Sequence, residues 1–176
     1  KLFYISRNLW MPLDFRPGIT ASAEDYMYSR SVADNIRKRV LGDGATAEES
    51  AYNRIFISRR HCNVQRLTNS NEIEQIFSEH GFQIVFPEEL SFDEEVAVFN
   101  QADVIVGATG AAFTNIVFCH EGARVGIITP SSNDAYFFSN IANMVNVAFA
   151  VLGADVVKKE RYTSLDAFAL NTDKCR

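Results

Sequence analysis

From Arg54 onward the chain alternates short apolar runs with stretches whose apolar positions recur at helical spacing. Five runs read as strands: RIFIS (54–58), QIVF (83–86), VIVG (104–107), VGIIT (125–129) and VAFAVL (147–152). They are continuous rather than alternating, as expected of strands covered on both faces. Between the first two, Asn69 with Glu72 three positions on predicts a capping box. Ile73, Ile76, Phe77 and His80 then fall on one helical face, and Gly81 supplies the stop. Ser91 with Glu94 repeats the capping signal ahead of Phe92, Val96 and Phe99, and Ser131, Ser132 and Asp134 open a further helix that runs through Met144. Strands and helices in strict alternation predict βα units: an α/β, three-layer Rossmann-like domain with a mainly parallel sheet.

The first fifty residues follow another pattern. RNLWMPLDFRPG has Pro12, Pro17 and Gly18 among large apolar side chains with no period, which reads as a surface loop. A helix is expected from about Ala23 to Leu41, followed by a flexible polar connector, GDGATAEES. The expected organisation is residues 1–50 as a loop and helix leading in, 51–157 as the Rossmann-like core, and 158–176 as a C-terminal tail. No internal repeat is evident.

Composition narrows the function classes. With 176 residues, 47% hydrophobic and 22% charged, the chain suits one globular domain. A net charge of -5 argues against a general nucleic-acid binder, which needs a basic face to displace counterions from phosphates. A small anionic ligand needs only local arginines. Cys62, Cys119 and Cys175 are odd in number and lack Cys-x-x-Cys spacing, which supports neither a zinc cluster nor a disulfide framework. No membrane span is visible, since Asn140, Asn143 and Asn146 interrupt the most apolar late stretch. The chain opens on Lys1 and already looks mid-architecture, so it is expected to be part of something longer.

Two stretches carry candidate chemistry. In VIVGATGAAFTN, Val104–Asn115, a strand runs into a glycine turn and an apparent helix. Helix N-termini beyond strand ends line the ligand crevice of open α/β sheets and attract anions. A nicotinamide site would need a glycine where Phe113 stands, and no acidic residue for a ribose closes the next strand, so an NAD-dependent epimerase or dehydrogenase is the weaker alternative. The bland reading is that Gly107 and Gly110 only allow a sharp turn. In IFISRRHCNVQRLTN, Arg59, Arg60 and Arg66 follow a strand end, where arginine forks suit diphosphate oxygens; the bland reading is a solvated cluster. His61 reads as a surface residue rather than a base, because no Asp or Glu at an obvious spacing orients it. There is no Asp-x-Asp and no metal-site spacing.

These stretches in this order, ISRR…R-L-T-N and then GFQIVFPEELSFDEEVAVFNQADVIVGATGAAFTNIVF, resemble the C-terminal lobe of glycosyltransferase family 61, enzymes of GT-B architecture. The matching positions are Arg59, Arg60, Arg66, Asn69, Pro87, Glu88, Leu90, Ser91, Gly107, Gly110, Ala111, Thr114 and Asn115, within about Arg54 to Pro130. The resemblance implies transfer of a sugar from a nucleotide-sugar donor, commonly a UDP-sugar, to a glycan or glycoconjugate acceptor. It also implies no cofactor and no metal at the diphosphate, with a separate N-terminal lobe, outside this chain, to which the tail would return. Arg59 and Arg60 would neutralise the leaving diphosphate. The amides of Gly110 and Ala111, with Thr109, Thr114 and Asn115, would hold phosphate or sugar hydroxyls, and Glu88 and Glu89 could accept hydroxyls. No catalytic base is identifiable, so donor binding with little transfer is expected of this chain alone.

Two positions depart from the family pattern: its histidine in the glycine turn is Thr109 here, and its glutamine after the serine turn is Glu95. A catalytically inactive binding module derived from such a transferase is therefore the second reading. The odd cysteine count and the lack of Asn-x-Ser/Thr acceptor sequences favour a cytoplasmic setting, compatible with peripheral association at a membrane face, over the secretory lumen.

Overall fold

The computed structural model describes residues 30–42, 52–160 and 166–174. The order is helix α1 (Arg30–Leu41), strand β1 (Arg54–Ile57), α2 (Ser70–Glu79), β2 (Gln83–Val85), α3 (Phe92–Gln101), β3 (Val104–Ala108), β4 (Arg124–Thr129), α4 (Ser132–Met144), β5 (Ala148–Gly153), β6 (Asp155–Lys158) and β7 (Ala167–Ala169). Short 3₁₀ turns occupy Pro87–Glu89, Ala111–Phe118 and Thr172–Lys174. All five expected strands form one sheet, ordered β2-β1-β3-β4-β5. Every neighbouring pair in it is parallel. This is a Rossmann-like α/β fold. The helix expected over 23–41 is present from Arg30, while its first residues, the N-terminal loop and nearly all of the polar connector lie outside the described residues.

The sheet is covered on both faces, which is why its strands are apolar throughout. Ile55, Ile57, Ile105, Val125 and Ile127 point to one face, beneath Val96 and Phe99 of α3, Phe138 and Ile141 of α4, and Phe113 and Ile116. Phe56, Val106 and Ile128 point to the other, with Ile73 of α2 and Phe168 and Leu170 of the tail. β5 departs from expectation. Its run VAFAVL reads as a buried strand, but it stands at the sheet edge and leaves Val151 47% exposed.

Local signals explain most boundaries. At Ser91 the predicted capping box is present: the side chain accepts from the Glu94 amide while Glu94 reaches back to the Ser91 amide at 2.7 Å. α2 ends in a Schellman motif, with Gly81 at φ +81°, its N–H on Ser78 O and the Phe82 N–H on Phe77 O, both 3.0 Å. The accompanying apolar contact is Phe77 against Phe82, edge to face at 4.9 Å. The capping box predicted at Asn69 is not formed. Its amide instead donates to Leu170 O at 2.9 Å and its carbonyl oxygen accepts from the Leu170 N–H at 3.2 Å. Asn69 thus satisfies the backbone of the tail rather than the helix.

The segment after the glycine turn is 3₁₀ rather than α-helical. Phe113, Ile116 and Cys119 are fully buried. They recur every third residue, and only a helix with three residues per turn stacks them on one face. The tail adds an antiparallel hairpin of β6 and β7, which the sequence reading did not anticipate, joined to the lobe by a bridge between Leu67 and Phe168. Among the described residues no helix is long and apolar enough to cross a membrane.

Candidate functional site

In the order β2-β1-β3-β4-β5 the chain leaves β1 towards one edge and returns at β3 on the other side. The adjacent C-terminal ends of β1 and β3 therefore diverge into a crevice, the place where open α/β sheets bind ligands. Ser58 and Arg59 follow β1 there, and Thr109, Gly110 and Ala111 follow β3. Between them opens a cleft of about 380 Å³, within the range of small-molecule sites. Its walls include Arg59, Cys62, Pro87, Glu88, Glu95, Gly110, Ala111, Thr114 and Asn115. The arginine strand end and the glycine turn, far apart in sequence, are one site.

Glycine is required here twice, for different reasons. Gly107 pairs with Ile57 across β1 and β3, and a Cβ on it would lie 2.4 Å from the Ile57 carbonyl oxygen. Gly110 is extended at φ 174°, which any residue tolerates, but a Cβ there would lie 1.6 Å from Nη1 of Arg59. The absent side chain is thus the seat of the guanidinium. Arg59 donates from Nη1 to Thr109 O at 3.2 Å, and its Nε is buried with no hydrogen-bond partner among the described residues. No carboxylate pairs with it among those residues, so a positive charge faces the cleft.

The other two arginines are differently engaged. Arg60 lies 3.5 Å from the buried carboxylate of Glu74, donates to Asn71 Oδ1 at 3.1 Å and covers the Phe86 ring. Glu74 also accepts from Ser58 Oγ at 2.6 Å, so it ties the corner after β1 to α2. Arg66 is buried, donates to Asp166 O at 3.3 Å and lies over Phe168, so it faces the tail rather than the large cleft.

Around the glycine turn, Thr109 is 2% exposed and its N–H continues the sheet to Ile128 O at 3.0 Å. Its carbonyl accepts from Arg59 Nη1, and the residue is not among those that line the cleft. Thr114 donates its hydroxyl to Ala111 O at 2.8 Å, within the 3₁₀ turn. Asn115 donates to a Glu95 carboxylate oxygen. The acid that stands at the position of the family's glutamine is therefore held by a residue of the glycine turn, 20 positions along the chain. Phe113, standing where a dinucleotide loop would need glycine, packs edge to face with Phe99 and Phe138 in the core.

Glu88 and Glu89 sit on a 3₁₀ turn beyond β2, and they part company: Glu88 lines the cleft, whereas Glu89 turns to His61. His61 Nδ1 is 2.6 Å from Glu89 Oε1, and its ring stacks on Phe86 at 4.2 Å between centroids and 10° between planes. The acid that the sequence reading could not find for His61 is thus 28 positions away, brought close by the parallel pairing of β1 and β2. Cys62, also unremarked in sequence as a cleft residue, lines the same cleft as Glu88. Burial first and then the Glu88 charge hold its thiol above the ordinary range, against the opposing pull of Arg59. Cys119, deep in the core, is pushed up to about 12 by burial. Neither thiol is a ready nucleophile.

No curated protein matches this chain. The family model for glycosyltransferase 61 matches residues 9–126, reaching further towards the N-terminus than the motifs between Arg54 and Pro130 on which the resemblance rested. That match takes in well over half of the 176 residues, together with both halves of the crevice from Arg59 to Asn115, and the chain belongs to glycosyltransferase family 61.

Proposed function

We propose that this chain is the donor-binding lobe of a GT-B glycosyltransferase that transfers a sugar from a UDP-sugar to a glycan or glycoconjugate acceptor. One observation carries the reading: the Arg59 guanidinium, seated over Gly110 at the crevice and matched by no carboxylate among the described residues. Such a charge binds a diphosphate and stabilises it as it leaves, because it is already in place when negative charge develops on the leaving oxygen. The amides of Gly110 and Ala111 at the start of the 3₁₀ turn add donors on the opposite wall. Glu88 and Glu95 are acceptors for ribose or sugar hydroxyls. Arginine and amides do the neutralising in this arrangement, so no metal is assigned.

Arg60 supports the site indirectly, through Glu74 and the corner after β1, and Arg66 anchors the tail. The test is calorimetric titration of UDP, with GDP, CDP and NAD as comparators, into wild type and Arg59→Ala. UDP-selective binding weakened tenfold or more by the substitution is expected, the scale of losing a charged hydrogen bond. Absence of nucleotide diphosphate binding, or indifference to Arg59→Ala, sinks the reading.

A further inference from the structure

We propose that this lobe carries its own proton acceptor, His61, oriented by Glu89, at the rim of the donor cleft. The inference rests on the donor-lobe reading and adds to it the group that the sequence did not reveal. Two consecutive residues after β1 face two consecutive residues after β2. Cys62 meets Glu88 in the cleft wall, and His61 meets Glu89 just outside it. Each member of the dyad is thus the chain neighbour of a cleft-lining residue, His61 of Cys62 and Glu89 of Glu88. Nδ1 is taken by the carboxylate at 2.6 Å, and the ring is held flat on Phe86. Among the described residues Nε2 has no hydrogen-bond partner, and the imidazole side chain is 46% exposed.

A carboxylate on Nδ1 puts the neutral ring's proton there and leaves the Nε2 lone pair available, the arrangement a general base needs. As the acceptor hydroxyl oxygen forms its bond to the anomeric carbon, its proton passes to Nε2. The bond from that carbon to the phosphate oxygen breaks, and the nucleoside diphosphate leaves with the electron pair, held at Arg59. The imidazolium then returns its proton to solvent. Water in place of the acceptor gives slow hydrolysis of the donor by the same steps. The charged and titratable groups around the ring are Glu89 on Nδ1, Arg60 across Phe86, and the Cys62–Glu88 pair with Arg59 on the cleft side.

The experiment measures UDP release from UDP-glucose, UDP-galactose, UDP-N-acetylglucosamine and UDP-xylose, from pH 5 to 8, by wild type, His61→Gln and Glu89→Gln, with UDP affinity measured on each protein. The expected wild-type rate rises with pH across this range, because only the unprotonated base accepts the hydroxyl proton. His61→Gln is expected to lower it by about 10²- to 10⁴-fold and to remove the pH dependence, leaving UDP affinity unchanged. Glu89→Gln lowers the rate less and keeps a pH dependence. Equal rates for wild type and His61→Gln, or UDP binding without release from any of the four donors, overturn the dyad while the donor site stands. If UDP itself does not bind, the donor-lobe reading fails and the dyad falls with it.

Discussion

Gly107 and Gly110 lie in one motif three positions apart, yet they answer to different atoms. At Gly107 the obstacle to a side chain is the backbone carbonyl of Ile57, which moves only if β1 and β3 separate. At Gly110 it is the tip of Arg59, which can swing away. Gly107→Ala should therefore destabilise the fold by about 1–3 kcal/mol, the usual cost of overpacking, read by denaturant unfolding. Gly110→Ala should leave stability nearly unchanged but displace the guanidinium, weakening UDP binding about as much as Arg59→Ala does. If the two substitutions instead lower stability equally, the seat assigned to Arg59 is wrong. The same residue-by-residue view separates the arginines. All three are equivalent by sequence, but Glu74 answers Arg60, the tail takes Arg66, and only Arg59 turns to the large cleft.

Elements were legible wherever the signal was local. A serine and a glutamate three positions apart before α3 need only each other and the first turn, so that capping box follows from sequence. The equivalent pair at Asn69 and Glu72 fails because a partner 101 positions away offers Asn69 two backbone hydrogen bonds, and local propensity yields to them. Two thermal melts distinguish these cases. Ser91→Ala should cost about 1 kcal/mol, the typical value of a lost N-cap. Glu72→Ala, which breaks no cap, should stay within about 0.5 kcal/mol of wild type. A cost at Glu72 equal to that at Ser91 would contradict the geometry. The 3₁₀ segment shows a signal present but read with the wrong period: Phe113, Ile116 and Cys119 repeat by three, not by the helical 3.6.

At the scale of the whole molecule, one face of the sheet is closed by helices, and the other is shared between α2 and the tail. Phe168 is fully buried there, beneath Arg66 and beside Leu67, 101 positions distant along the chain. The tail is therefore part of the core, so Phe168→Ala should lower global stability by about 3–5 kcal/mol, as for other buried aromatics. Unfolding monitored by denaturant tests it: a loss below 1 kcal/mol would mean that the tail is dispensable. The sequence by itself determined the five strands, the alternation that makes their sheet parallel, the capping box at Ser91 and the family motif. Each of these is written in neighbouring residues or in a fixed order along the chain, where periodicity and turn chemistry act directly. Only the tertiary structure decided that Arg59 lies over Gly110, that Glu89 orients His61, that Asn115 holds Glu95 and that the tail completes a core. Those pairings span from 20 to about 100 positions, and their partners are chosen by strand order and register, which no local pattern encodes.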